Sequence, residues 1–275
     1  NSLNVNNNAG GTAIGLQIDF NAGTKTATLS DFKISRIARK GFVETWYDQS
    51  GNGRDMTQDT APYQPAIVKN GGICKTANGY ETISFDGSDD YLVALGYSPA
   101  SSSGGGMTDF NLTCVTGTPP TSSLEAIASM GSQEGSNVIG GFYFSNNINS
   151  GDSTKQDIRF NISEHNASPH IDQKVISATI LNDTNLLSFN RRGSDNTFEL
   201  FNPSPTGTNL TGTSLIPKCG QTGENDDFKV GAVMYNNASQ REYEGDILEV
   251  ILFDSSDKRD DAPTINSEIE HYYNI

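Results

Sequence analysis

The chain has 275 residues, with 18 Lys and Arg against 33 Asp and Glu, a formal net charge of −15. That balance excludes a strongly basic nucleic-acid binder, because counterion release needs clustered Lys and Arg. The longest apolar runs, such as Val250 to Phe253, stop far short of the about 18 residues a spanning helix needs, so no membrane insertion is expected. Hydrophobic residues at 34% together with 28 Gly come close to an ordinary globular share, which argues against global disorder. Charged residues are sparse at 19%, and Asn, Ser, Thr and Gly fill the gap. This is the composition of a β-rich protein of an extracellular, virion or cell surface, with loops built from turn residues. With no initiator Met and no charged-then-apolar leader, the chain reads as a processed or excised piece.

In chain order, residues 1–40 form an N-terminal extension or first strands, with an Asn-rich stretch from Asn4 to Asn8. Residues 41–275 read as a single domain. Phe42-Val43-Glu44-Thr45-Trp46-Tyr47 is aromatic and β-branched and predicts one strand. Thr82 to Phe85 alternates, the turn Asp86-Gly87-Ser88 follows, and Tyr91 to Leu95 comes next, which predicts a hairpin. Ser101 to Gly106 reads as a long surface loop. Further strands are predicted at Phe110 to Val115, Ala126 to Met130, Val138 to Phe144, Asp157 to Ile162 and Val175 to Leu181. Others follow at Leu186 to Asn190, Phe198 to Phe201, Phe228 to Met234 and Gly245 to Phe253. A dozen or so strands with turn signals between them predict an all-β sandwich or barrel. One helix is predicted at the end. Pro263 suits its first turn, Asp260 and Asp261 its positive end, and Ile265, Ile269 and Tyr272 form an apolar stripe. Cys74, Cys114 and Cys219 lack CxxC spacing, which excludes a zinc ribbon. They leave open one disulfide plus a free thiol, or three buried reduced thiols.

Three runs are distinctive. They are Gly41 to Gly53, containing Trp46-Tyr47-Asp48-Gln49-Ser50-Gly51-Asn52-Gly53; Ile83 to Leu92; and Tyr243-Glu244-Gly245-Asp246 to Phe253. Together they resemble the concanavalin A-like lectin/glucanase superfamily in its laminin-G-like form, over roughly residues 41–275. The first run more narrowly resembles the arabinofuranosidase B catalytic domain and related phage and bacterial surface proteins. The resemblance implies a jelly-roll sandwich of two antiparallel sheets, one concave; the short C-terminal helix should pack on it. It also implies where a retaining glycosidase would carry its two carboxyl groups. The nucleophile position falls on Ser145, before Asn146-Asn147, and the acid/base position falls on Val233. Neither side chain can ionise or shuttle a proton at neutral pH, so this chemistry is expected to be absent.

Asp48, Ser50 and Asn52 place side-chain oxygens at alternate positions before Gly53, with Asp55 beyond. That spacing suits calcium. No Glu follows at the twelfth position, and a tight turn bonding its own backbone is the other reading. Asp86, Asp89 and Asp90 make a second acidic tip. Trp46, the single tryptophan, is expected in the core. Tyr63, Tyr97, Tyr143 and Tyr235 are candidate sugar platforms, and Glu244 is a candidate ligand contact because Tyr243-Glu244-Gly245 matches the family pattern. His165 and His170 lack a helical metal spacing. No GxSxG, GxxxxGK[ST] or GxGxxG run exists. Asn-x-Ser/Thr sequons occur at Asn111, Asn161, Asn166, Asn182, Asn209 and Asn237.

The leading functional expectation is a non-catalytic binding or adhesion module of a phage fibre, tail or capsid-decoration protein, holding a glycan or polysaccharide. The alternatives are a structural module that assembles with neighbouring subunits, and a glycosidase with a relocated pair drawn from Glu44, Glu164, Glu242, Glu244 and Glu249.

Overall fold

The computed structural model describes residues 2–7, 14–19, 39–97, 108–117, 125–134, 137–148, 155–163, 171–179, 184–192, 197–201, 210–213, 227–235, 238–254 and 261–275. The chain forms two compact units, Asn1–Ile37 and Ala38–Ile275. In the first, Ser2–Asn7 pairs antiparallel with Ile14–Asp19.

The second unit is a jelly-roll sandwich. Among the described residues, a nine-stranded sheet runs in the order Leu210–Thr213, Thr197–Phe201, Asn185–Arg192, Phe110–Thr116, Glu244–Phe253, Ile83–Asp86, Ala66–Lys69, Gly41–Phe42, with Gly72–Ile73 beside Ala66–Lys69. A ten-stranded sheet faces it, in the order Ile171–Thr179, Lys155–Ser163, Asn137–Ile148, Glu125–Glu134, Phe228–Val230, Leu92–Ala94, Met56–Thr57, Thr45–Trp46. Val233–Tyr235 joins its Glu125–Glu134 strand in parallel, and Ala238–Gln240 pairs antiparallel with Val233–Tyr235.

The core lies between the sheets and is dominated by phenylalanine. Phe144 and Phe160 come from the ten-stranded sheet, and Phe110, Phe189 and Phe198 from the other. The Phe160 and Phe189 rings stack across the interface with centroids 3.6 Å apart and planes 1° apart. The Ala262–Tyr273 helix covers the outer face of the nine-stranded sheet, where Ile269 and Tyr273 pack on Val115 and Leu186.

Several expectations are corrected. The Phe42 to Tyr47 run is not one strand: Gly41–Phe42 lies in one sheet and Thr45–Trp46 in the other, with buried Val43 at the crossing. Nor do the segments around Ser84 and Val93 form a hairpin. Ile83–Asp86 pairs with Glu244–Phe253, whereas Leu92–Ala94 pairs with Phe228–Val230 in the opposite sheet. Both runs carry the chain across the core, and local alternation has the same period in such an arch as in a hairpin.

The Phe228 to Met234 run breaks at Gly231, whose φ is +92° and whose added Cβ would lie 2.5 Å from the Phe85 ring. In the helix the predicted Ile269 is buried and Ile265 packs beside it, but Tyr272 is 69% exposed and Tyr273 is buried in its place, with Ala262 and Asn266. Asn266 is drawn inward because its Oδ1 accepts from Thr113 Oγ1 at 3.2 Å.

Cys74 and Cys114 are buried free thiols, and burial raises both pKa values. Cys219 and the Ser101 to Gly106 loop lie outside the described residues. Asn111 and Asn161 are buried, which removes them as glycosylation acceptors; the other four sequons lie outside the described residues.

Replacing Phe189 by Ala removes the inter-sheet stack and leaves a cavity. Denaturant unfolding is expected to show a loss of about 3–5 kcal/mol.

Candidate functional site

Thr45–Trp46 and Met56–Thr57 pair antiparallel at the edge of the ten-stranded sheet, so residues 47–55 are the loop of a short hairpin. Asp48 organises this loop. Its Oδ1 accepts from the Ser50 N–H at 2.8 Å, and its Oδ2 accepts from Ser50 Oγ at 2.8 Å and from the Arg54 N–H at 3.0 Å. The Ser50 hydroxyl first, then these backbone donors, hold the Asp48 carboxyl down at about 2, so it is ionised throughout the physiological range. Asp55 Oδ1 accepts from the Asp48 N–H at 2.8 Å. Ser50 Oγ accepts from Asn52 Nδ2 at 2.9 Å. The four residues predicted around a cation are thus brought together, and the bonds they make are those of the hydrogen-bonded turn.

The loop forms one wall of a cleft of about 670 Å³, a volume within the range of small-ligand sites. Tyr47, Asp48, Gln49, Ser50, Asn52 and Arg54 line this wall. The opposite wall is the Glu244–Phe253 strand. Its Ile83–Asp86 neighbour pairs only with Glu244 to Ile247, so from Leu248 onward that flank has no strand partner among the described residues. The floor is the mouth of the core: Trp46, Met56, Ala94, Phe228, Val250 and Leu252. Trp46, expected in the core, is half-buried; it packs on the core and faces the cleft at the same time.

One charged group ties the walls together. Arg54 Nη1 lies 3.2 Å from Asp254 Oδ2, and the guanidinium carbon sits 3.9 Å from the centre of the Tyr97 ring. Tyr97 donates its hydroxyl to the same Asp254 oxygen at 2.8 Å. Burial, then the Asp254 charge, pushes the Tyr97 phenol above its ordinary range, so it remains a donor. Glu249 also lines the cleft, accepts from the Tyr273 hydroxyl at 3.4 Å, and is raised by burial.

The second acidic tip is the arch between the sheets. Carboxylate oxygens of Asp86, Asp89 and Asp90 lie within 4.8 Å of one another. Asp90 is 5% exposed, and its Oδ2 accepts from the Asp86 N–H at 3.0 Å. Burial, then repulsion from Asp86, raises Asp90 to about 7. Glu244 stands in register with Asp86, and its N–H donates to Glu125 Oε2 at 2.7 Å. Gly87 makes room for it, since a Cβ there would lie 2.8 Å from Glu244 Cβ. The fold therefore joins two acidic features that stand apart in the sequence.

The other candidates lie elsewhere. Tyr143 stands in register between Ser129 and Asn161, and Tyr235 pairs with Gln133. Glu244 is not among the described residues that line the cleft. Ser145 and Val233, at the positions matched to the glycosidase carboxylates, are both buried. Tyr63 is partly exposed and stacks on Tyr91 at 6.3 Å. Glu164, His165 and His170 lie outside the described residues. Sequence reasoning missed the joint role of Arg54 and Asp254, 200 positions apart, because no local pattern carries a contact of that range.

No family model matches the chain, and no curated protein matches it by sequence. Solved structures do. The CBM40 module of the Ruminococcus gnavus IT-sialidase, bound to α2,3-sialyllactose, is 10% identical over 70% of this chain and 97% of that one, with a TM-score of 0.47. A SAP-like pentraxin from Limulus polyphemus is 14% identical over 63% of this chain and 76% of that one, with a TM-score of 0.46. The enzymatically active domain of tailspike protein 2 from bacteriophage CBA120 is 12% identical over 70% of this chain and 27% of that one, with a TM-score of 0.42. These are likenesses of fold.

Asp90 binds its proton more tightly in the folded state, where its pKa is about 7, than in the unfolded chain, near 3.8. Its contribution to stability is therefore fully present below about pH 4 and is lost as pH rises to about 7. Asp90→Asn keeps an acceptor for the Asp86 N–H and removes the charge. Thermal melts from pH 4 to 8 should show that this variant loses the slope and gains stability at pH 8, by up to about 4 kcal/mol.

Proposed function

We propose that this chain is a non-catalytic glycan-binding module of an extracellular or virion surface, such as a phage fibre, tail or capsid-decoration protein, and that the cleft between the 47–55 loop and the Glu244–Phe253 strand holds the sugar. The observation that carries this reading is the cleft's lining. Trp46 and Tyr47 offer aromatic faces, and Tyr47 is 66% exposed. Gln49, Ser50 and Asn52 supply amide and hydroxyl groups beside them. A sugar presents an apolar C–H face and a polar hydroxyl rim, and this combination answers both. The loop is fixed beforehand by the three bonds to Asp48, so little ordering entropy is lost when a ligand enters.

Two observations favour binding over hydrolysis. The positions matched to the family's carboxylates hold buried Ser145 and Val233. The carboxylates lining the cleft already accept hydrogen bonds from the protein. The composition, rich in Asn, Ser, Thr and Gly, supports the surface location.

The test is a glycan panel read with the purified chain, with calcium and then with EDTA. Saturable binding is expected, and Tyr47→Ala should weaken it roughly tenfold, about 1.4 kcal/mol, with an unchanged melting temperature. Loss of binding in EDTA would assign a calcium ion to Asp48, Ser50, Asn52 and Asp55. Failure to bind any glycan in either buffer would overturn the reading and favour an assembly module.

A further inference from the structure

We propose that the cleft selects uncharged sugars and rejects acidic ones, whether carboxylated or sulfated. This rests on the glycan reading above and names the class of sugar that the site accepts.

Recognition of a sugar carboxylate or sulfate needs a cation whose charge is not already paired, most often a bidentate Arg. Among the described residues that line the cleft the one cationic side chain is Arg54, and its charge is paired. Its Nη1 bonds Asp254 at 3.2 Å, and its face lies on the Tyr97 ring at 3.9 Å. Against it stand three carboxyl groups, those of Asp48, Glu249 and Asp254. Asp48 is held ionised by its three donors, so an acidic sugar beside the loop meets a fixed negative charge.

The opposite wall points the same way. From Leu248 to Phe253 the strand offers the cleft a flank with no strand neighbour among the described residues. Along such a flank N–H donors alternate with C=O acceptors. A sugar hydroxyl both donates and accepts, so it matches either group, whereas a carboxylate only accepts and faces the C=O groups unpaired. The net charge of −15 adds long-range repulsion, which slows the approach of a polyanion and weakens with salt.

The experiment measures binding of the full chain to two sets of polysaccharides at low and at physiological salt. The neutral set is dextran, galactan, mannan and chitin oligomers. The acidic set is polygalacturonate, alginate, polysialic acid and dextran sulfate. Binding is expected in the neutral set, with acidic members at least about tenfold weaker, since like charges oppose association. Asp254→Asn releases Arg54, and the preference should narrow by several fold, most at low salt. Equal or tighter binding of an acidic glycan by the parent protein would overturn the selectivity while leaving the glycan reading in place. An unchanged preference in a folded Asp254→Asn variant would overturn the assignment to the Arg54–Asp254 pair. No binding in either set removes the glycan reading and this inference with it.

Discussion

A one-residue bulge in the pairing of Glu244–Phe253 decides which of its side chains face the core. Thr116 pairs with Ile247 and Val115 with Glu249, which leaves Leu248 as the extra residue. Strict alternation from Ile247 would point Glu249 into the sandwich. With the bulge, Ile247, Val250 and Leu252 pack inward, while Leu248 and Ile251 turn to the helix side. Glu249 meets the Tyr273 hydroxyl there instead of the phenylalanine core. An ionised carboxylate among those rings would cost several kcal/mol or lose its charge. The bulge thus lets one strand serve the core on one face and the helix on the other.

The same strand creates the cleft by what its neighbour does not do. Thr82 Oγ1 donates to the Ile247 carbonyl oxygen at 3.2 Å, just where pairing with Ile83–Asp86 ends. Beyond that point the Glu244–Phe253 flank is open, and the 47–55 loop of the facing sheet supplies the second wall. A loop with this much turn composition would ordinarily be mobile. Asp48 and Asp55 close it from within, and the Arg54–Asp254 pair fastens it to the opposite sheet. That pair is part-exposed, so its worth lies in geometry more than in stability.

Strand content was legible because alternation is a local property, and the two-sheet jelly roll followed from it and from the resemblance. Sheet membership was not. The runs at Phe42 to Tyr47 and Thr82 to Leu95 look like a strand and a hairpin, yet each crosses from one sheet to the other. A crossing is decided by which partners the strands find, and no local pattern names them: Ile83–Asp86 pairs with Glu244–Phe253 and Leu92–Ala94 with Phe228–Val230, both far along the chain. The helix shows the same limit on a smaller scale. Its start and length were readable, but its face was set by Thr113 and Glu249, residues of the sheet beneath it. In the cleft, Asp48, Ser50, Asn52 and Asp55 were legible as a cluster, since they are neighbours in sequence. Arg54, Tyr97 and Asp254 were not, since only the fold unites them.

The carboxylates bear on the choice between binding and reaction. A hydrolytic carboxylate must leave a lone pair for the substrate, and its partner must hold a proton at the working pH. Asp48 holds no proton at neutral pH: three donors bond it and its pKa is driven down. Asp254 accepts from both Arg54 and Tyr97. Glu249 is raised by burial, as a general acid would be, but its oxygen faces Tyr273. The one carboxyl raised to about 7, Asp90, sits at the acidic arch, outside the residues that line the cleft. Among the described residues, the carboxylates that line the cleft are bonded to the protein, and the carboxyl raised to about 7 stands at the arch. On the glycan-binding reading proposed above, those carboxylates act by fixing the walls that meet the sugar.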